Sequence, residues 1–171
     1  MDKKAEKSNK DKVLRRLANI LKKHDFIRTK PSFFVRERGP LIEFIHIHKF
    51  SFGPSFRLHV CLRVINDPRD WVALLGFDSD LYCRPNSPNG KKYNFSYHVK
   101  NETIERCVVN IHEFINEVAE PWYEKWRNPV THFSDPGSPF GPEDIEALKL
   151  AISGGEIEDN SKQSRILLGL A

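Results

Sequence analysis

The residues best suited to chemistry in this 171-residue chain are its histidines. Several of them lie close together, in two stretches where apolar and polar residues alternate. His46 and His48 are two positions apart, His59 and Cys61 follow a turn, and His98 lies in a later alternating stretch. Alternate residues of a β-strand point to the same side, so these side chains are expected on one sheet face. Imidazole and thiolate groups bind zinc, which makes a His-based metal-dependent enzyme one hypothesis. The nearest acidic residues fall elsewhere, so we favour ordinary histidines of a half-buried polar face and assign no metal ligand.

The same predicted face combines cationic and aromatic residues. Arg57 and Arg63 belong to the strand after the turn, and Phe44 and Phe50 to the strand before it. Protein interfaces and sheet-based nucleic-acid binders both use this combination. The candidate binding residues are Phe44, His46, His48, Phe50, Arg57, His59, Arg63 and His98. A face of this kind can instead be covered by a loop or by the C-terminal helices, and both interpretations stay open at this point.

Motifs of the common catalytic sites are absent from the sequence. It contains no Gly-x-Ser-x-Gly, Gly-x-Gly-x-x-Gly, Walker or His-Glu-x-x-His pattern. The three cysteines have no Cys-x-x-Cys spacing, which indicates reduced thiols, and Cys61 lacks a local motif for a thiol nucleophile. We therefore predict a non-enzymatic protein, with no catalytic residue and no cofactor.

In four segments apolar and polar residues alternate as they do in β-strands, and turn residues separate these segments. They are residues 32–37, 41–50, 56–65 and 93–99. If Gly53-Pro54 forms the tip of the second hairpin, Ile47 lies opposite Val60 and His48 lies beside His59. These segments predict an antiparallel sheet of about four strands.

Helical spacing of apolar residues predicts two long helices, one before the first strand and one that begins at Asn101. Pro121 is expected to kink or restart the second helix. A sheet with one apolar face needs a cover, so we predict an α+β two-layer sandwich in which the two helices cover one face. The predicted organisation is an α+β domain at 1–127, a Pro/Gly/Ser-rich linker at 128–141 and a C-terminal helical tail at 142–171.

The net charge of +4 is the sum of two opposite halves. Residues 1–100 contain 21 lysines and arginines and 10 acidic residues, whereas residues 101–171 contain 6 and 13. A basic half can attract nucleic acid or an acidic protein. We favour the simpler interpretation, in which the two halves neutralise each other inside one fold.

The sequence shows no membrane or export signal. No apolar run approaches the ~20 residues of a membrane span, and the N-terminal residues lack the apolar core of a signal peptide. A cytoplasmic protein without membrane contact is therefore expected.

Four stretches also carry a resemblance to a known family. They are residues 21–30 (LKKHDFIRTK), 32–36 (SFFVR), 44–53 (FIHIHKFSFG) and 56–60 (FRLHV). Over residues 12–126 the chain resembles the bacterial family catalogued as domain of unknown function 4304. Where that family typically has a Gln-Lys-Ser-like triplet, this chain has residues 48–51 (HKFS). The resemblance implies a small cytoplasmic α+β domain without an established activity.

Small domains of this style are also similar to immunity proteins of bacterial toxin systems, which bind a toxin and do no chemistry. The leading hypothesis is therefore a cytoplasmic protein of the immunity-inhibitor type. It binds a protein partner through the polar face around Arg57, His59 and Arg63 or through the acidic C-terminal segment. The alternatives are a nucleic-acid-binding protein that uses the basic half and the His-based metal-dependent enzyme. The sequence gives no oligomeric state.

Overall fold

The computed structural model of the chain describes residues 2–170. Its sheet has five antiparallel strands in sequential order, a simple meander. The strands are β1 (Ile27–Lys30), β2 (Phe33–Arg38), β3 (Leu41–Lys49), β4 (Phe56–Val64) and β5 (Leu75–Asp78). The α+β prediction is confirmed, with five strands where about four were expected.

Helices precede the sheet, follow it and form the C-terminal part of the chain. They are α1 (Lys3–Leu21), α2 (Asn101–Phe114), α3 (Glu120–Arg127), α4 (Pro129–Ser134), α5 (Pro142–Ile152) and α6 (Glu158–Leu168). No helix within residues 2–170 combines the length and the apolar character that crossing a membrane requires.

The main core lies between the sheet and the two long helices. Helix α1 buries Val13, Leu14, Leu17 and Leu21, whose spacing of three or four residues places them on one side of the helix. Helix α2 contributes a similar apolar side, which includes Ile104 and four further buried residues. These two helices pack against each other and cover one sheet face, as predicted.

The β3–β4 hairpin has a different register from the predicted one. Ile47 lies opposite Leu58, and His46 lies opposite His59. The Phe50 N–H donates to the Ser55 carbonyl at 3.0 Å, which places the turn one residue earlier than a Gly53-Pro54 tip. The pairing therefore shifts by two residues. Because side chains alternate with a period of two, every side chain keeps its predicted face.

The predicted strand at 93–99 is wrong. The segment makes a single bridge, Ser96 with Ser55, and its apolar residues Tyr93, Phe95 and Tyr97 are buried in the core on the helix side. The edge beside β4 is taken instead by β5, at Leu75–Asp78, where the sequence pattern was ambiguous. Strand β1, at the opposite edge, was also not predicted.

A continuous helical run extends from α2 into α3. Between them Ile115–Ala119 forms a π-helical turn, which ends two residues before Pro121. Proline has no N–H to donate to the preceding turn, and a wider π turn accommodates that missing bond within the helix. The predicted effect of Pro121 therefore takes the form of a restart of the α-helix at Glu120.

The predicted linker at 128–141 is a packed part of the structure. It contains α4, and it buries the His132 and Phe140 side chains, whose rings are 5.4 Å apart. Phe140 also contacts the Trp126 ring of α3. The Pro/Gly/Ser composition is that of the turns around these two buried residues.

Ion pairs join the basic and acidic halves of the chain. Arg36 pairs with Glu120 at 2.7 Å, and Arg16 pairs with Glu105. Arg69 pairs with Asp144 on α5. These contacts agree with the interpretation that the two halves neutralise each other within one fold.

Candidate functional site

The sheet face opposite α1 and α2 is divided into a covered half and an open half. Helix α6 lies on the covered half, where Leu168 packs against Val35, Ile42, Phe44 and Cys61. Phe44 was a candidate binding residue, but α6 buries it completely. The two interpretations of this face, covered or available, each apply to one half of it.

Arg63 is a structural residue of the covered half. Its side chain is 1% exposed and donates to the Ser164 hydroxyl at 2.8 Å and to the Trp71 and Arg69 carbonyls at 2.8 and 2.6 Å. Its guanidinium is also 3.2 Å from the Asp67 carboxylate. A buried guanidinium needs such partners, and here they tie β4 to α6 and to the loop after β4. The assignment of Arg63 to an exposed binding surface is therefore wrong.

A buried ion-pair network lies on the helix side of the sheet. Glu43 is fully buried and accepts hydrogen bonds from Arg36 and Arg127, while Arg36 also donates to Glu120. Two carboxylates are thus matched by two guanidiniums. No carboxylate of this network is free to act as an acid or base, and its arrangement fits a structural role.

The open half carries seven aromatic, histidine and arginine side chains around the end of the β3–β4 hairpin. We call this surface the open face; it consists of Phe33, His46, His48, Phe50, Phe52, Arg57 and His59. Five of the eight predicted binding residues belong to it: His46, His48, Phe50, Arg57 and His59. The structure thus brings together most of the cluster that the alternation predicted.

Two of the three histidines of the open face, His46 and His59, stack as near-parallel rings, whereas the His48 ring lies edge-on to both. The Phe33 and His46 rings are 4.6 Å apart, and the His46 and His59 rings are 5.6 Å apart and within 16° of parallel. Burial, with the nearby charges of His59 and His48, lowers the pKa of His46 to about 4. Burial also lowers the pKa of His59, although Asp78 opposes the shift. Both rings are therefore neutral at pH 7.

This arrangement gives no support to a metal-dependent enzyme. Within residues 2–170 no group of three histidine, cysteine or acidic side chains is placed to hold a metal ion. The near-parallel His46 and His59 rings present their faces to each other rather than converging their nitrogens on one point. Cys61 lies on the covered half, where burial raises the pKa of its thiol and disfavours a nucleophilic thiolate.

Arg57 links the middle of the open face to the hairpin tip. It donates two hydrogen bonds to the Asp80 carboxylate, at 2.8 and 2.5 Å, and its guanidinium lies 5.0 Å from the centre of the Phe50 ring. Phe50 stacks on Phe52 with the ring centres 4.7 Å apart, and Phe52 is 84% exposed. The tip therefore presents an aromatic pair supported by an arginine held in place.

Phe52 was missed in the sequence analysis, which assigned it to the turn. The signal was present: Phe50 and Phe52 are two residues apart, so a strand-like continuation of β3 places both on the face of His46 and His48.

His98 is not part of the open face. Its backbone carbonyl accepts a hydrogen bond from the Asn9 side chain of α1 at 3.1 Å, and its N–H donates to Thr103 of α2 at 2.9 Å. Because residues 93–99 pack with the helices instead of pairing as a strand, His98 lies in the helix layer. Its predicted position beside His46 is therefore wrong.

The two margins of the open face differ in charge. Lys3, Lys7, Lys10 and Lys49 line a 280 Å³ pocket with Glu6 beside α1, and a 210 Å³ pocket that Lys10 and Lys49 share continues to His46 and His48. The other margin has Asp78 opposite His59 and Asp80 paired with Arg57. The open face is thus aromatic in its centre, basic towards α1 and mixed towards β5.

Comparison of the chain with models of known families, with curated proteins and with solved structures found no match in any of the three.

Proposed function

We propose that this protein is a non-enzymatic binding protein whose open face docks another protein, in the manner of an immunity protein that blocks a toxin by binding it. The observation that carries the proposal is the exposed Phe52 ring, stacked on Phe50 and backed by Arg57. Aromatic residues and arginine are enriched where protein interfaces concentrate their binding energy. A large apolar ring held in water by its neighbours favours association that removes it from water.

The charge pattern favours a protein over nucleic acid. Asp78 and Asp80 lie beside the aromatic centre, and the Arg57 charge is already neutralised by Asp80. The Asp78 carboxylate repels a phosphate backbone, whereas a protein partner can match a mixed surface with charges of both signs. The resemblance to the family of domain of unknown function 4304 and a cytoplasmic location belong to the same proposal.

Nucleic-acid binding is the second candidate, and one observation favours it. Lys3, Lys7 and Lys10 follow one another along α1 and form no ion pair with any residue in the described range 2–170. A row of unpaired lysines is the usual electrostatic footprint of a phosphate-binding surface. The two proposals place the binding surface differently: a protein partner would contact Phe52 at the hairpin tip, and nucleic acid would contact the lysines of α1.

Affinity capture from a native lysate tests the leading proposal. Wild type is compared with Phe52→Ala and with Phe133→Ala, a matched loss of an exposed ring on α4. Phe133 follows His132, which lines a pocket with Gly39 and Pro40, so it lies near the other end of β3 from Phe52. We expect one partner to be retained by wild type and by Phe133→Ala and lost by Phe52→Ala. Identical captured sets for all three proteins would remove the open face from consideration.

Fluorescence anisotropy with random RNA and DNA, at low and high salt, tests the second candidate. Phosphate contacts give binding that weakens steeply as salt rises. We expect no binding even at low salt. Binding with a steep salt dependence that Lys7→Glu/Lys10→Glu removes would replace the protein-binding proposal by the nucleic-acid one.

A further inference from the structure

A pocket of 520 Å³ lies beside the open face, between the hairpin tip and the segment that follows β5. Phe50 and Phe52 form its aromatic wall, so it shares the exposed ring that carries the proposed interface. Its volume falls in the range of pockets that enclose a small ligand or an inserted side chain. The feature of interest is the charge of its remaining wall.

Three cationic side chains and one acidic side chain line this pocket. Arg57 and Asp80 neutralise each other, which leaves Arg84 and Lys92. Both are exposed, and neither forms an ion pair within the part of the chain that the structure describes. The pocket therefore has two uncompensated positive charges facing an aromatic wall.

His46 and His59 do not add to this charge at neutral pH, because burial lowers the pKa of both imidazoles. The thiol of Cys83 also lines the pocket, and burial raises its pKa to about 11, so it contributes no thiolate. The positive potential of the pocket thus comes from Arg84 and Lys92.

We infer that this pocket receives an acidic segment of the protein partner, with an Asp or Glu carboxylate between Arg84 and Lys92 and a neighbouring aromatic side chain against Phe52. This inference rests on the proposed function and names the chemistry of the partner's contact. Charge complementarity carries it, since a carboxylate is the group that two unpaired cations at a protein interface attract. An aromatic neighbour gains an offset stack on a ring that is already exposed.

The test uses a fluorescein-labelled peptide in which glutamates flank one phenylalanine, with fluorescence anisotropy as the readout. A second peptide with glutamine at each glutamate position is the neutral control. We expect saturable binding of the acidic peptide to the full-length chain, and at least about tenfold weaker binding of the neutral one.

Two charge-reversal variants locate the contact. Arg84→Glu/Lys92→Glu is expected to weaken acidic-peptide binding by about tenfold or more, while Lys7→Glu/Lys10→Glu on α1 stays within about twofold of wild type. Arg84→Gln/Lys92→Gln, which introduces no repulsion, is expected to give an intermediate loss. Equal weakening by the α1 variant would mean general attraction to a basic protein and would overturn the inference. No saturable binding up to about 1 mM would overturn it as well.

An oligodeoxythymidylate competitor separates a polyanion surface from a peptide pocket. We expect the oligonucleotide not to displace the peptide. The inference would be overturned if the oligonucleotide displaced the peptide and if Arg84→Glu/Lys92→Glu lost oligonucleotide binding. Its failure is distinguishable from failure of the proposed function. A captured partner that needs Phe52 but tolerates Arg84→Glu/Lys92→Glu refutes the acidic pocket and leaves the protein-binding proposal standing.

Discussion

His46 makes the stability of the fold depend on pH in a predictable direction. Burial and the adjacent histidines lower its pKa to about 4, against an ordinary value of 6.5. Between these values the unfolded chain binds a proton at His46 that the folded chain does not. Stability therefore falls as pH drops through 6.5 and stops falling from this cause below about 4.

The size of the effect follows from the same two pKa values. At pH 5 the linkage relation gives a loss of about 2 kcal/mol relative to pH 7. The His46 ring is partly open to solvent, which reduces the figure to about 1 kcal/mol. His59 changes stability in the same direction, since burial lowers its pKa too.

His46→Phe removes the titrating group and keeps a ring between Phe33 and His59. It also removes a buried Nδ1 for which the described residues provide no hydrogen-bond partner. Urea unfolding followed by circular dichroism is measured for both proteins at pH 7 and pH 5. We expect the free energy of unfolding of the variant to exceed that of wild type by about 1 kcal/mol more at pH 5 than at pH 7.

Phe33→Leu is the matched control, because it alters the same ring stack without removing a titrating group. Its stability difference from wild type is expected to be the same at both pH values. The reasoning would be refuted if the stability difference between His46→Phe and wild type were also the same at both pH values. An NMR resonance of His46 that titrates near pH 6.5 would refute it as well.

Three further substitutions test the packing that defines the open face. Arg63→Met leaves buried acceptors and the Asp67 carboxylate without their guanidinium, so we expect the free energy of unfolding to fall by about 3–5 kcal/mol in urea titrations. Gly76→Ala places a Cβ 1.9 Å from the Val60 carbonyl oxygen, and the displaced β5 strand should lower the free energy of unfolding by about 1–3 kcal/mol. His132→Phe replaces a buried ring whose two nitrogens have no partner among residues 2–170; we expect up to about 1 kcal/mol of added stability, seen as a higher Tm.

Two of these variants have a control on the same kind of feature. Arg57→Ala removes a partly exposed ion pair and should cost less than about 1 kcal/mol, so a loss as large as that of Arg63→Met would contradict the structural role of Arg63. Gly53→Ala meets no atom within 4 Å and should be nearly neutral; equal losses at Gly53 and Gly76 would contradict the close approach of β5. A lower Tm for His132→Phe would mean that the His132 nitrogens have partners.

Alternation along β3 and β4 was enough to predict that His46, His48 and His59 lie on one side of the sheet. His46, His48 and His59 share a side because strand periodicity depends only on local sequence. The wrong turn position moved the predicted pairing by two residues, and a shift of two leaves every side chain on its face. The three histidines were therefore predicted on the correct face even though the predicted pairing of β3 with β4 was wrong.

The covered half could not be predicted from the same pattern. Arg63 and Phe44 alternate in the same way as Arg57 and Phe50, and only α6, about a hundred residues further along the chain from β4, distinguishes them. Contacts between residues so far apart in sequence depend on tertiary packing, and local periodicity carries no information about it. The same limit explains residues 93–99, whose alternating apolar side packs beside helices rather than along a strand.

The most direct test of the central claim is the affinity of the isolated partner protein for wild type and for Phe52→Ala. A ring at the centre of an interface contributes about 2 kcal/mol or more when it is truncated, which corresponds to about thirtyfold in Kd. We predict that Phe52→Ala weakens binding by at least that factor while Phe133→Ala leaves Kd unchanged. Equal affinities of wild type and Phe52→Ala would contradict the claim that the open face is the binding surface.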